Sequence, residues 1–233
     1  MITKQELTDS HEGKNSIFAY LAHDLKTPIL AQSKILDLIL ENRFGAITSP
    51  QREVIAELRN SCEYMKHLVQ DIISLYKFEN HQMILRNEVF CVREVINEVI
   101  QELSVLSSAK HLLLTFITET NPSYLTGDRI QIKRCIINLM SNAITYSTEN
   151  SEIIIKSDKT QNELIFSVMN KSSFLLPEVM ESFFDKFKSN HFQGNSGLGL
   201  YIVKQIISAH RGSVFVNKIK NNACVFGFKI PVD

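Results

Sequence analysis

The chain has no clustered cysteines, no surplus of either charge, no long apolar run and no internal repeat, and each lack removes a class of function. Its four cysteines, Cys62, Cys91, Cys135 and Cys224, are scattered without a Cys-x-x-Cys or Cys/His cluster. Neither a disulfide framework nor a zinc site is expected from them, and they read as buried thiols in a reducing cytosol. Lys plus Arg and Asp plus Glu each number 25, so no basic field exists to attract nucleic acid or an anionic membrane surface. No run approaches the roughly 18 apolar residues of a membrane span, and the polar opening MITKQELTDSHEGKN has no signal-peptide core. The chain is therefore expected to be soluble and cytoplasmic, with no membrane segment; a soluble piece of a membrane receptor would have the same composition.

What is present is a chain of 233 residues, 44% hydrophobic and 21% charged, enough for two modest domains. The first, residues 1–80, is expected to be a helical hairpin. One long helix runs from about Leu7 to Arg43, FGAITSP (Phe44 to Pro50) breaks it, and a second helix continues to about Glu79. In the second arm Leu58, Cys62, Met65, Val69, Ile72 and Tyr76 recur at alternating spacings of four and three, the seam of a helix that packs into a bundle. A single hairpin buries such a seam poorly, so a homodimeric four-helix bundle is its natural completion.

The second domain, residues 81–233, mixes helices with strands. Helices are expected near Val92 to Ser107, Asp128 to Tyr146 and Leu198 to His210. Strands are expected at Leu112 to Thr118, Ile153 to Ile155, Leu164 to Val168, Val214 to Val216 and Val225 to Ile230. Such interleaving points to an α/β sandwich.

Chemistry enters at FAYLAHDLKTPIL. Leu21 and Leu25 lie two positions either side of His23, so helical geometry turns the imidazole away from their face and towards water. A helix-surface histidine is, by itself, an ordinary solvated side chain. Its neighbours add to it: Asp24 can orient the ring or take its proton, Thr27 one turn on can position a water or hydroxyl, and Pro28 removes a backbone donor and should bend the helix. HDLKTP resembles the H box of the histidine kinases. That resemblance implies His23 as phosphoacceptor, Asp24 as acid/base and Thr27 in dephosphorylation of the partner.

Further on, NSGLGLYIVKQIISAHRG (Asn195 to Gly212) places Gly197, Leu198 and Gly199 at the start of a helix, where backbone N–H groups can approach phosphates. Alone, a Gly-x-Gly before a helix is a tight turn. DRIQIKRCIINLMSNAITYS (Asp128 to Ser147) is similar to the N box of the same family, and FFDKF (Phe183 to Phe187) to its F box. Asn138 and Asn142 are four apart on one helix face and can offer amide oxygens to a Mg2+ ion that bridges phosphates. The resemblance covers the chain from about Asn15 to Val232. It implies a hairpin of the kinase phosphoacceptor type, then the GHKL ATPase sandwich shared with gyrase and heat-shock chaperones. Within it Asn138, Asn142, Tyr146, Asn170, Lys186, Lys188, Gly197, Leu198 and Gly199 would bind ATP, and Phe183, Phe184 and Phe187 would pack the edge of a short lid, KSNHFQGN.

The pattern departs from the family throughout its first glycine box and at two further positions. The family's Asp-x-Gly-x-Gly, whose Asp accepts a hydrogen bond from the exocyclic amine of adenine, corresponds to Asn170-Lys171-Ser172-Ser173-Phe174 here. The N-box Lys is replaced by Thr145, and a Gly by Asn195. Asn170 can accept from adenine without the charge, which implies weaker ATP binding, and its donor end can also face the carbonyl oxygen of guanine. The resemblance thus implies a kinase that phosphorylates His23 from Mg-ATP and passes the group to an Asp on the receiver domain of a response regulator. The alternatives are a phosphotransferase or pseudokinase scaffold on the same dimer, and a phosphatase-dominant regulator. The roughly fourteen residues before the H box are too few for a sensor, so input is expected from a partner or from residues outside this chain.

Overall fold

The computed structural model describes residues 24–80, 83–119, 123–171, 183–185, 197–219 and 223–232. The chain divides into two compact units, Met1–Met83 and Ile84–Asp233.

In the first unit, helix α1 is described over residues 24–40 and its helical assignment runs unbroken through Pro28. The turn that follows uses left-handed backbone at Asn42 (φ 58°) and Gly45 (φ 115°), conformations that Asn and Gly adopt at least cost. Helix α2 (Ser49–Glu79) opens on a capping box: Gln51 N donates to Thr48 Oγ1 at 3.4 Å, and Thr48 N donates to Gln51 Oε1 at 2.9 Å. Pro50 lies inside the first turn of α2 rather than in the break where the sequence reading put it. A first-turn residue needs no intrahelical N–H partner, so proline there opens a helix as readily as it ends one.

Polar links fix the register of the two arms. Arg59 Nε meets Asp37 Oδ1 at 2.5 Å, Ser33 Oγ donates to Glu63 Oε1 at 3.2 Å, and Arg52 Nη1 donates to Leu40 O at 2.8 Å. Only part of the apolar seam is covered. Cys62 is buried, but Leu58, Met65 and Ile72 keep 52%, 38% and 48% of their surface exposed. Leu25, expected on the inner face, is 53% exposed as well. Gln32, Ile35, Leu36, Leu58, Ser61, Cys62 and Met65 line a groove that runs along this face.

The second unit is a layer of helices on a mixed sheet. Strands β2 (Leu113–Ile117), β4 (Glu152–Lys159), β5 (Glu163–Lys171), β6 (Ser213–Ile219) and β7 (Ala223–Pro231) pair in the order β2-β4-β5-β7-β6. The β2/β4 pair is parallel and the others are antiparallel. Strands β1 (Glu88–Cys91) and β3 (Tyr124–Gly127) form a separate antiparallel ribbon. The expected helix over 92–107 is two helices, α3 (Val92–Glu102) and α4 (Ser104–Ala109), which meet at Leu103. Helices α5 (Arg129–Tyr146) and α6 (Gly199–Ala209) follow the expected ranges to within a residue.

Period decides which side chains are buried. On α5 these are Ile132, Cys135, Ile136, Leu139, Met140, Ala143 and Ile144; on α6 they are Ile202, Val203, Ile206 and Ile207. Helix α5 packs on β5 and α6 on β6 and β7; Leu164, Phe166 and Val168 of β5 are buried, as are Phe228 and Ile230 of β7, with Phe166 and Phe228 stacked at 5.1 Å between centroids. This inward column turns polar at one end. Asn170 continues the β5 column and Cys224 lies opposite it in register.

Candidate functional site

Within the second unit the C-terminal half of α5 is met by three other elements: the start of α6, the end of β5 and, behind β5, the start of β7. Asp128 sets the position of α5. Its Oδ1 accepts from Gln131 N as the helix N-cap, its Oδ2 accepts from Arg86 N, and its own N–H donates to His210 Nε2, each at 3.0 Å. His210 Nδ1 lies 2.8 Å from Ile206 O. Because Nε2 accepts, Nδ1 must carry the proton and donate to that carbonyl. One backbone amide thus joins the start of α5 to the end of α6. At the opposite end of α5, Lys110 Nζ donates to the carbonyls of Ile144 (3.2 Å) and Thr145 (2.7 Å), a cation on a helix C-terminus.

The helix held in this way carries the two asparagines. Asn138 Nδ2 donates to Gly199 O at 3.2 Å, so the donor end of this amide is used and Oδ1 is the end left for other partners. A Cβ placed on Gly199 would lie 3.7 Å from Asn138 Cγ, ordinary van der Waals contact, so the two helices approach closely here with room for a Cβ. Asn142 is half-buried one turn further on, as is Tyr146. Gly197 has φ 68°, backbone that a β-carbon disfavours. The buried Leu198 then begins α6 with no side-chain cap, an arrangement whose first N–H groups suit an anion.

Asn170 is 3% exposed. Its Nδ2 donates to Ser147 Oγ at 3.2 Å and its Oδ1 accepts from Cys224 Sγ at 3.1 Å. Ser147 Oγ in turn donates to Ala143 O at 2.6 Å. Burial pushes the Cys224 thiol up to about 11, so it stays protonated and donates at neutral pH. Burial also raises the Cys135 thiol. Both cysteines are closed-in thiols, as their scattered spacing led us to expect.

Phe183 and Phe184 pack edge-on to Phe226 of β7 at 5.7 and 6.3 Å, and Asp185 meets Lys204 of α6 at 3.4 Å. This part of the F-box sequence is therefore anchored against the sheet and α6 alike. Asp24 and Thr27 are exposed, one turn apart on α1. His23, Lys186, Lys188, Phe187 and the residues 172–174 aligned with the first glycine box lie outside the described residues.

The structure brings together Asn138 with Gly199, and Asn170 with the residue that follows Tyr146. It also supplies Ser147, Cys224, Lys110, His210 and Asp128, none of which the sequence reading singled out as site residues. Cys224 gave no local signal, because its partner is 54 positions away.

Known proteins resemble this chain in sequence and fold. The model of the histidine kinase-, DNA gyrase B- and HSP90-like ATPase family matches residues 127–233, and that of the His Kinase A (phospho-acceptor) domain matches residues 14–81. The catalytic domain of histidine kinase ThkA is 31% identical with a TM-score of 0.60, covering 63% of this chain and 96% of that one. The chain belongs to the histidine kinase family. Among curated relatives, the adaptive-response sensory kinase SasA of Crocosphaera subtropica is 29% identical over 238 residues, 98% of this chain. This chain spans 62% of that relative's length. Full-length ShkA, solved in complex with AMPPNP, shares the fold at a TM-score of 0.76 and 20% identity over 93% of this chain and 46% of that one. A helical region of the phosphoacceptor type followed by an ATPase-type α/β sheet is thus the architecture here, as the motifs implied. Among the described residues no helix is long and apolar enough to cross a membrane.

Proposed function

We propose that this chain is the catalytic core of a sensor kinase that phosphorylates itself on His23 and hands the group to a response regulator. The observation that carries this reading is the Asn138 Nδ2–Gly199 O hydrogen bond. It ties the asparagine face of α5 to the glycine start of α6, the two places where metal-bound and phosphate oxygens would be held. The complex of ShkA with AMPPNP supports a nucleotide in this fold.

In this reading residues 1–80 form the phosphoacceptor hairpin, paired with a second copy, and residues 81–233 bind ATP. Asn138 and Asn142 contribute amide oxygens, Gly197, Leu198 and Gly199 offer backbone N–H groups, Lys186 and Lys188 add charge, Tyr146 walls the base and Asn170 faces its 6-position. The donor set suits Mg2+, which takes one or two protein oxygens and completes its shell with phosphate oxygens and water. When bound, the ion neutralises charge on the phosphates.

His23 then supplies the nucleophile. A ring nitrogen forms a bond to the γ-phosphorus, the bond from that phosphorus to the bridging oxygen breaks, ADP leaves with the electron pair, and Asp24 takes the ring proton. In the second transfer a carboxylate oxygen of the receiver's Asp forms the new P–O bond as the N–P bond breaks. Thr27 and Asp24 position water for the reverse, dephosphorylating activity. The site of action is the cytoplasm, where ATP and receiver domains are found.

The test incubates the full chain with γ-labelled ATP and magnesium beside His23→Ala and Asn142→Ala. Acid-labile label on the wild type, lost from both variants, is the expected result. Label that survives His23→Ala, or no label at all, rejects the autokinase.

A further inference from the structure

The amide of Asn170 is held in one orientation by the groups behind it. Ser147 Oγ lies 2.6 Å from Ala143 O, a carbonyl with no proton to give, so the hydroxyl must donate there. Its oxygen then meets the Asn170 side chain as an acceptor, which places Nδ2 and not Oδ1 at 3.2 Å. On the other side the Cys224 thiol lies 3.1 Å from Oδ1 and 3.6 Å from the Asn170 backbone carbonyl, so the side-chain oxygen is its nearer acceptor. Both neighbours favour the same orientation: a flip would set Oδ1 against the Ser147 oxygen and give up the shorter thiol contact in a buried place. After these commitments Asn170 keeps one N–H proton and one lone pair on an oxygen already shared with a thiol. Its stronger remaining group is a neutral donor.

We propose that the site does not discriminate between purines at the 6-position and accepts guanine as well as adenine nucleotides. The inference rests on the reading above, in which the 6-position of the base faces Asn170. A carboxylate there would present acceptors only, matching the 6-amino group of adenine and repelling the 6-carbonyl of guanine. The locked amide presents an N–H that a 6-carbonyl accepts directly, and a weakened oxygen for a 6-amino group. Neither base leaves a buried charge unpaired. The unpaired charge or polar group is what gives a hydrogen-bonding site its large rejection ratios. The specificity-determining unit is therefore Asn170 with Ser147 and Cys224 behind it, drawn from β5, α5 and β7.

The experiment titrates the full chain by calorimetry with Mg-ATP, Mg-GTP and Mg-ITP, the last carrying the 6-carbonyl without a 2-amino group. Dissociation constants for the three within about tenfold of one another are expected. Asn170→Asp should then favour ATP over both others by at least a further factor of about ten, since a charged acceptor replaces the donor. Cys224→Ala, which releases the oxygen of the amide without adding charge, should move the ratio in the same direction by about threefold and remains informative if the aspartate is not tolerated. Binding of ATP with GTP and ITP weaker by more than about a hundredfold overturns the inference and leaves the nucleotide site standing. So does a ratio that neither variant moves. Binding of none of the three overturns both.

Discussion

Asn138 and Asn142 stand four apart on α5, yet the folded chain uses them differently. Asn138 spends its donor on Gly199 O and so holds two helices together; Asn142 has no such tie to α6 among the described hydrogen bonds. Asn138→Ala should therefore lower both nucleotide affinity and stability, by about 1 kcal/mol for one lost hydrogen bond, or roughly 2–4 °C in the melting temperature. Asn142→Ala should abolish labelling while melting within about 1 °C of wild type. Differential scanning calorimetry beside the labelling assay separates the two, and equal melting shifts would mean that Asn138 has no structural share. The sequence singles the pair out through its resemblance to the N box, and helical spacing puts both amides on one face. The Asn170 network was not legible there. Ser147 and Cys224 lie 23 and 54 positions from Asn170, and only the β5/β7 register and the end of α5 bring them to it.

The helices of the second unit were legible wherever apolar residues recur with a period near 3.6, as in α5 and α6. The ribbon of β1 and β3 was missed because each strand has four residues and their partners are far apart in sequence; pairing across such a gap leaves no local period. The break at Leu103 was missed because α3 and α4 both read as helix and no Gly or Pro separates them.

Charge ties α3 to α5. Glu98 meets Arg129 and lies 3.2 Å from Lys133, which also meets Glu102 at 2.5 Å. The Lys133 hydrogen bond, then that of Arg129, holds the Glu98 carboxyl below its ordinary 4.5. A lowered carboxylate adds stability that is complete above its unfolded value and lost as pH falls through the folded one. Melting temperature should thus drop between about pH 5 and pH 3 more steeply in the wild type than in Glu98→Gln. Because these side chains are partly solvated, about 1 M salt should shrink the difference. Identical acid profiles in the two proteins would remove the network from the account of stability. A larger effect belongs to β7, where a Cβ on Gly227 would lie 2.4 Å from Phe166 O of the neighbouring strand and 2.5 Å from the Phe215 ring. Gly227→Ala should cost about 1–3 kcal/mol, read as a lower denaturant midpoint.

At the scale of the whole molecule the proposed function divides the work between the two units, and that division makes the dimer testable apart from the nucleotide site. The arms of the hairpin are pinned by Arg59 and Asp37, and by Ser33 and Glu63, yet Leu58 and Ile72 stay 52% and 48% exposed. Apolar surface repeated along a helix at a bundle spacing is a standing cost in water, offset only when a second apolar face covers it. A second copy presents the same face, so two hairpins would close a four-helix bundle by two-fold symmetry. Light scattering on the full chain should give twice the chain mass of 26.6 kDa. Leu58→Glu with Ile72→Glu places four carboxylates in the closed bundle and should return the single-chain mass. The elements proposed to hold the nucleotide, α5, α6, β5 and β7, all lie in the Ile84–Asp233 unit. ATP affinity of the double variant should therefore stay within about twofold of wild type, as expected of distant independent sites. A monomeric wild type would reject the dimer without touching the nucleotide reading. A loss of ATP binding on monomerisation would instead mean that the two units are energetically coupled, through contacts that the separate architecture of each does not require.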